Sequence, residues 1–140
     1  MRAYLDASLI VPIFVHDAFS DRALALLEQP SLRVVVSDFA AAEFASAMSR
    51  LVRMRLLSRE EASSIFRDFD AWTEETAESL SIAPQDVSEA ASHLRRVDSP
   101  LRTPDALHLA MARRAGAALA TFDDRLGEVA VRLGIERARA

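Results

Sequence analysis

The chain has 140 residues, 51% of them hydrophobic and 27% charged, with a formal net charge of −4. Such a chain makes one domain spanning 1–140, burying roughly two-thirds of its extended surface, and a disordered or collagen-like chain is excluded. Cysteine is absent and every residue in the Lys+Arg total of 17 is arginine. Disulfides, thiolate zinc sites, Walker lysines and Schiff-base lysines are therefore ruled out.

The opening M-R-A-Y-L-D meets Asp6 too early for a secretory signal or a membrane span, so a cytoplasmic protein with no membrane partner is expected. Arg2 to Leu5, and then the apolar Leu9 to Val15, read as a buried strand running into a helix. Asp17 to Gln29 reads as a helix stopped by Pro30, and Arg33 to Val36 as a strand covered on both faces, with Ser37 as cap of a helix running to about Leu56. Ser58-Arg59-Glu60-Glu61 is a capping box opening a helix to about Glu78, followed by a weak strand at Leu80 to Ala83. Asp86 to Arg96 is helical. The turn-rich Val97 to Pro104 leads into a helix from Asp105 to Ala115, with Thr103 as its cap and Pro104 at its first position. Ala117 to Thr121 forms a strand, Asp124 to Leu133 a last helix, and Gly134-Ile135 the start of an edge strand. This alternation predicts an α/β fold with a mostly parallel central sheet flanked by helices.

In such sheets ligands bind where the carboxyl ends of strands meet the following helices. Acids fall at those junctions: Asp6, Glu43, Asp105, and the doublet Asp123-Asp124. Each has a purely structural explanation as well. Asp6 suits a helix cap, as does either residue of the doublet; Glu43 lies on the stripe with Ser46, Arg50 and Arg53; Asp105 suits a first helical turn. Their coincidence at one predicted edge is not explained that way. Two carboxylates about 5 Å apart repel by roughly 3 kcal/mol at an effective dielectric near 20, so several together must bind protons, arginines or a cation. Oxygen-only ligation favours Mg²⁺, or Mn²⁺ in its place, over zinc.

The words Y-L-D-A-S-L-I-V, S-D-F-A-A-A-E-F, T-P-D-A-L-H-L-A and A-T-F-D-D-R-L, in that order, resemble the PIN-domain nucleases, specifically VapC-type toxins of toxin-antitoxin pairs. The resemblance runs from Asp6 to Leu126. It implies a PIN-like three-layer sandwich and a Mg²⁺-dependent endoribonuclease toxin. The family's acids correspond to Asp6, Glu43, Asp105 and Asp123, as metal-holding and catalytic residues, and its hydroxyl positions to Ser8 and Thr121. The T-x-D spacing favours Asp123 over Asp124, which is left as cap or helper. The implied partners are RNA, a cognate antitoxin whose arginine enters the acidic pocket, and a second copy of the chain, with Leu51, Val52 and Met54 as candidate contacts.

Water as nucleophile predicts 5′-phosphate and 3′-hydroxyl ends. His108, one turn after Asp105, reads more simply as a packed histidine than as part of the site, and Arg102, Arg50 and Arg53 are weak candidates for phosphate contact. A haloacid-dehalogenase-type phosphatase fits poorly, because Ser8 stands where its second aspartate belongs and lysine is absent. The remaining alternative is a catalytically silent PIN-fold module that binds RNA or protein.

Overall fold

A computed structural model describes residues 1–140. The elements run β1 (Arg2–Leu5), α1 (Ala7–Phe14), α2 (Ser20–Leu27), β2 (Arg33–Ser37), α3 (Asp38–Arg53), α4 (Arg59–Thr76), β3 (Ala77–Leu80), α5 (Pro84–Leu94), α6 (Thr103–Arg114), β4 (Ala118–Ala120) and α7 (Asp124–Arg132). All strand pairs are parallel and the sheet order is β3-β2-β1-β4.

Side-chain alternation along the strands makes the layers. Tyr4 is in register with Val35 and with Leu119, and these three face one core with α5, α6 and α7. Ala3, Leu5, Val34, Val36, Ala118 and Ala120 face the other, with α1 to α4. Strands covered on both sides carry almost no polar residue, which is why β2 reads V-V-V. Three layers result, as the sequence implies.

Several boundaries move. The capping box of Ser58 and Glu61 forms as predicted, but α4 stops at Thr76 and β3 begins at once, three residues before the expected Leu80. Ala77 to Leu80 pairs with Val34 to Ser37, so sheet pairing overrides a helix-like local sequence. Helix α3 ends at Arg53 rather than Leu56. Helix α6 begins two residues early, with Arg102 as cap, so Thr103 is its first residue and Pro104 its second. The predicted edge strand at Gly134-Ile135 is a single bridge, Arg137 beside Leu119. No helix is long and apolar enough to cross a membrane.

The order of connections fixes where a ligand can enter. From β1 through β2 to β3 the chain moves one way across the sheet; it then returns past β1 to add β4. The order reverses between β1 and β4, and a crevice opens at the carboxyl ends of the strands on either side of such a reversal.

Candidate functional site

Asp6 and Thr121 are the residues just beyond the ends of β1 and β4, on the two sides of that crevice, and the Asp6 amide donates to the Ala120 carbonyl at 3.2 Å. Asp6 is the cap of α1: its Oδ1 accepts from the Leu9 amide at 3.2 Å and from Ser8 Oγ at 2.6 Å. Its Oδ2 accepts from Thr121 Oγ1 at 2.5 Å. Thr121 Oγ1 accepts in turn from the Asp123 amide at 3.0 Å, and Ser8 Oγ from the Phe122 amide at 3.0 Å. The two hydroxyls thus tie the start of α1 to the turn before α7. Asp6 is only 4% exposed, and burial pushes its carboxyl above the ordinary range; the hydroxyls of Ser8 and Thr121 and the Leu9 amide oppose that shift. A carboxylate is held here against its solvation preference.

Asp123 is exposed and caps α7, its Oδ1 accepting from the Leu126 amide at 3.1 Å. Asp124 turns away and pairs with Arg137 at 2.7 Å, and that guanidinium holds its carboxyl below the ordinary range. The doublet is thereby divided: Asp123 is tied to Thr121 through its backbone amide and to the start of α7 through its side chain, and Asp124 to Arg137 in an ion pair.

Glu43 reaches the same edge from the second turn of α3, and its Oε1 accepts a short hydrogen bond from His108 Nε2. His108 is buried, and its Nδ1 lies 2.7 Å from the Tyr4 hydroxyl, which lies 2.7 Å from Ser37 Oγ. With a neutral imidazole one direction of donation satisfies the chain: Ser37 donates to Tyr4, Tyr4 to Nδ1, and Nε2 to Glu43. Ser37 meanwhile accepts from the Ala40 amide at 2.9 Å as the cap of α3. Burial pushes the Tyr4 hydroxyl well above the phenol range, the Ser37 bond opposes this, and the charges of Asp6, Glu43 and Asp38 add to it, so Tyr4 stays neutral.

The sequence alone gives Tyr4 no role, shows Ser37 only as the cap of α3, which it is, and reads His108 more simply as packing. A tyrosine two residues before Asp6, on the same strand face, was the available signal, because a buried phenol needs a polar partner.

Asp105 lies in the first turn of α6, its Oδ2 accepting from the Arg102 amide at 3.0 Å. Arg102 is exposed beside it. Arg50 and Arg53 sit farther along α3, about 10 and 15 Å beyond Glu43 at 1.5 Å per residue, so they do not share its surroundings.

The expected gathering of these carboxylates around one cation is absent: no three His, Asp or Glu side chains stand together as a group that could hold a metal ion. Like charges repel, and each carboxylate is held by donors of its own neighbourhood: hydroxyls for Asp6, His108 for Glu43, backbone amides for Asp105 and Asp123. The donor chemistry nevertheless suits a hard cation, since all four side chains offer oxygen alone and Glu43, Asp105 and Asp123 each use only one oxygen in these bonds.

A parallel sandwich with acids along the carboxyl edge of its sheet is the class of α/β protein that binds a ligand at its topological switch point. The sequence matches the PIN domain over residues 3–132, and the chain belongs to that family. Its fold is similar to that of the sarcin-ricin loop cleaving toxin VapC20 of Mycobacterium tuberculosis, with TM-score 0.72 and 19% identity over 99% of both chains. It is similar also to FitAcB of Neisseria gonorrhoeae, with TM-score 0.73 and 16% identity over 96% of this chain and 95% of that one. VapBC-1 of nontypeable Haemophilus influenzae gives TM-score 0.68 and 17% identity over 98% and 96%. No curated protein sequence matches the chain.

Proposed function

We propose that the protein is a metal-dependent endoribonuclease acting as the toxin of a VapBC-type pair. The observation that carries this reading is the link from Asp6 through Thr121 to Asp123 across the β1–β4 crevice, in a chain of the PIN-domain family. A Mg²⁺ ion, or Mn²⁺ in its place, would be held by Asp6 and Asp123, with Glu43 and Asp105 as the further carboxylates that would serve it. Such a cation, when bound, neutralises charge on a phosphodiester and makes a water more acidic.

The chain's own residues supply the rest. Thr121 and Ser8 hold the Asp6 carboxylate facing the crevice, and His108, backed by Tyr4, holds Glu43. Arg102, exposed at the start of α6, offers a contact for RNA phosphate. Water is the nucleophile, so cleavage leaves 5′-phosphate and 3′-hydroxyl ends.

A labelled RNA incubated with the protein tests this directly. Cleavage is expected in Mg²⁺ or Mn²⁺, is lost in EDTA and returns with excess metal; 2′,3′-cyclic phosphate ends would overturn the mechanism. The alternative, a catalytically silent module, draws on the absence of a closed carboxylate group. Intact RNA under every metal condition would favour it.

Exchanging the two residues of the doublet separates their roles. Asp123→Asn is expected to lower kcat at least tenfold, whereas Asp124→Asn should change it by less than about threefold, since its carboxylate is exposed and engaged with Arg137. The reverse order in a cleavage assay would reassign the metal-holding residue.

VapBC-1 and a toxin-antitoxin complex from Klebsiella pneumoniae pair a toxin with an antitoxin. By the same reading an antitoxin covers this crevice, its arginine taking the place of cationic charge among the acids. A second copy of the chain packs on Met54, which is 58% exposed, with the half-buried Leu51 and Val52 beside it.

A further inference from the structure

Immediately beside the acids the chain builds a surface of different character. Phe122, between Thr121 and Asp123, is held by the bond from its amide to Ser8 Oγ. Its ring lies against Phe19, with centroids 4.8 Å apart and planes 33° apart. Phe19, at the start of α2, is 42% exposed. Arg22 lays its guanidinium over both rings, 5.0 Å from the Phe122 centroid and 5.9 Å from that of Phe19.

From this stack a cleft of about 760 Å³ runs along α7 and the C-terminal residues, with Arg22, Thr121, Asp124, Glu136, Arg137 and Arg139 in its walls. Arg137 crosses Gly127 so closely that a Cβ there would stand 2.5 Å from its guanidinium carbon, so glycine is what lets Arg137 reach Asp124. Its walls carry three arginines, Arg22, Arg137 and Arg139, against Asp124, Glu136 and the Ala140 oxygen that Arg22 holds, and of the three only Arg139 has no such partner for its side chain.

Structural duties account for part of this. Arg22 Nη2 donates to the Ala140 carbonyl at 3.1 Å, and Arg137 holds Asp124. They do not account for a phenylalanine left in water under a guanidinium, one wall away from Thr121. Aromatic faces stack on any unpaired base, guanidinium planes do the same, and arginine also meets phosphate; together these are what a groove for single-stranded nucleic acid uses.

We propose that this cleft is a nucleotide subsite next to the scissile bond: an unpaired base stacks on Phe19 and Arg22, and the adjoining phosphate is met by Arg22, Arg137 and Arg139. The inference rests on the ribonuclease reading and names how its substrate is held. It predicts preference for unpaired RNA with little discrimination among bases at this position, because stacking reads no base edge.

The test measures binding of a short fluorescein-labelled single-stranded oligoribonucleotide in EDTA by anisotropy, and cleavage of the same RNA with Mg²⁺. Wild type, Phe19→Ala and Arg22→Gln are compared; the glutamine can still donate to the Ala140 carbonyl. Phe19→Ala is expected to weaken binding about tenfold and to raise KM more than it lowers kcat. Arg22→Gln should reduce the slope of log affinity against log salt by about one. Melting temperatures of the variants should fall by no more than about a few degrees, so that binding read well below them reports contact with RNA and not the folded fraction.

If wild type cleaves and both variants match it in affinity and KM, the subsite is overturned and the nuclease reading stands. If wild type neither binds nor cleaves RNA, both fall. Binding without cleavage, weakened in Phe19→Ala, supports the subsite and removes the nuclease. Variants that keep RNA but lose a co-expressed antitoxin mark the cleft as a protein contact and overturn the RNA assignment.

Discussion

Asp6→Asn is expected to reduce RNA cleavage by at least a hundredfold while leaving the protein folded and no less heat-stable than wild type. The two halves have one cause. Asp6 is buried, and its carboxyl is raised by that burial despite the donors around it. A raised folded-state value means that the fold favours the protonated form. That contribution to stability is fully present below the unfolded value and is lost as pH rises through the folded one. Above its folded value the ionised group therefore works against folding. Asparagine removes the charge and keeps most of the contacts: its oxygen accepts from Leu9 and Ser8, and its amide nitrogen donates to Thr121 Oγ1. The loss of activity follows from losing a ligand of a cation whose work is charge stabilisation of several kcal/mol, where each 1.36 kcal/mol is about tenfold in rate. Thermal melts in metal-free buffer should show a Tm for Asp6→Asn at or above wild type at neutral pH, with the difference shrinking as the pH falls below the folded value of Asp6 and vanishing below the unfolded one. Unchanged cleavage would remove Asp6 from the chemistry. A lowered Tm would show that its hydrogen bonds outweigh the cost of burying the charge.

The same physics explains what could be read from the chain. The layers were legible because covered strands are short apolar runs, as in Val34 to Val36, and because Ser37 and Ser58 announce helix starts with their hydroxyls. β3 was legible only as a weak strand placed three residues too late, since Ala77 to Leu80 continues a helix-like stretch and becomes a strand only by pairing with β2. Asp6, Glu43, Asp105 and Asp123 were visible as acids at junctions. The supporting network was not, because the partners of Glu43 and Tyr4 lie on other elements and no spacing within one helix predicts them. Nor could spacing show how Asp123 and Asp124 divide, which depends on Arg137 folding back across Gly127. Local patterns encode each side chain's own turn; the approach of separate turns depends on the packed whole.

Packing also sets where Glu43 stands, and this makes Phe44→Ala the substitution with the largest expected effect on stability. Ala40, Phe44 and Met48, at helical spacing, are the fully buried stripe that seats α3 on the sheet. Phe44 stacks on Phe69 with centroids 4.4 Å apart and 20° between the planes, and meets Phe14 and Phe66 edge-on at 5.5 and 6.1 Å. Those neighbours come from α1 and α4, so one ring joins three helices, and truncating it opens a hole that they cannot all close. Such truncations cost about 3–5 kcal/mol, a large share of the roughly 5–15 kcal/mol that holds a domain folded. At about 3–4 °C per kcal/mol for a chain of this length, Tm should fall by roughly 10–20 °C. Phe66→Ala, at a half-buried position, should cost less. Because Glu43 precedes Phe44 on α3, the surviving folded molecules should also hold Glu43 less firmly against His108, and cleavage well below the new Tm should fall further than the folded fraction does. A Tm loss under about 5 °C would show that the aromatic cluster repacks and that α3 is seated by Ala40 and Met48 alone.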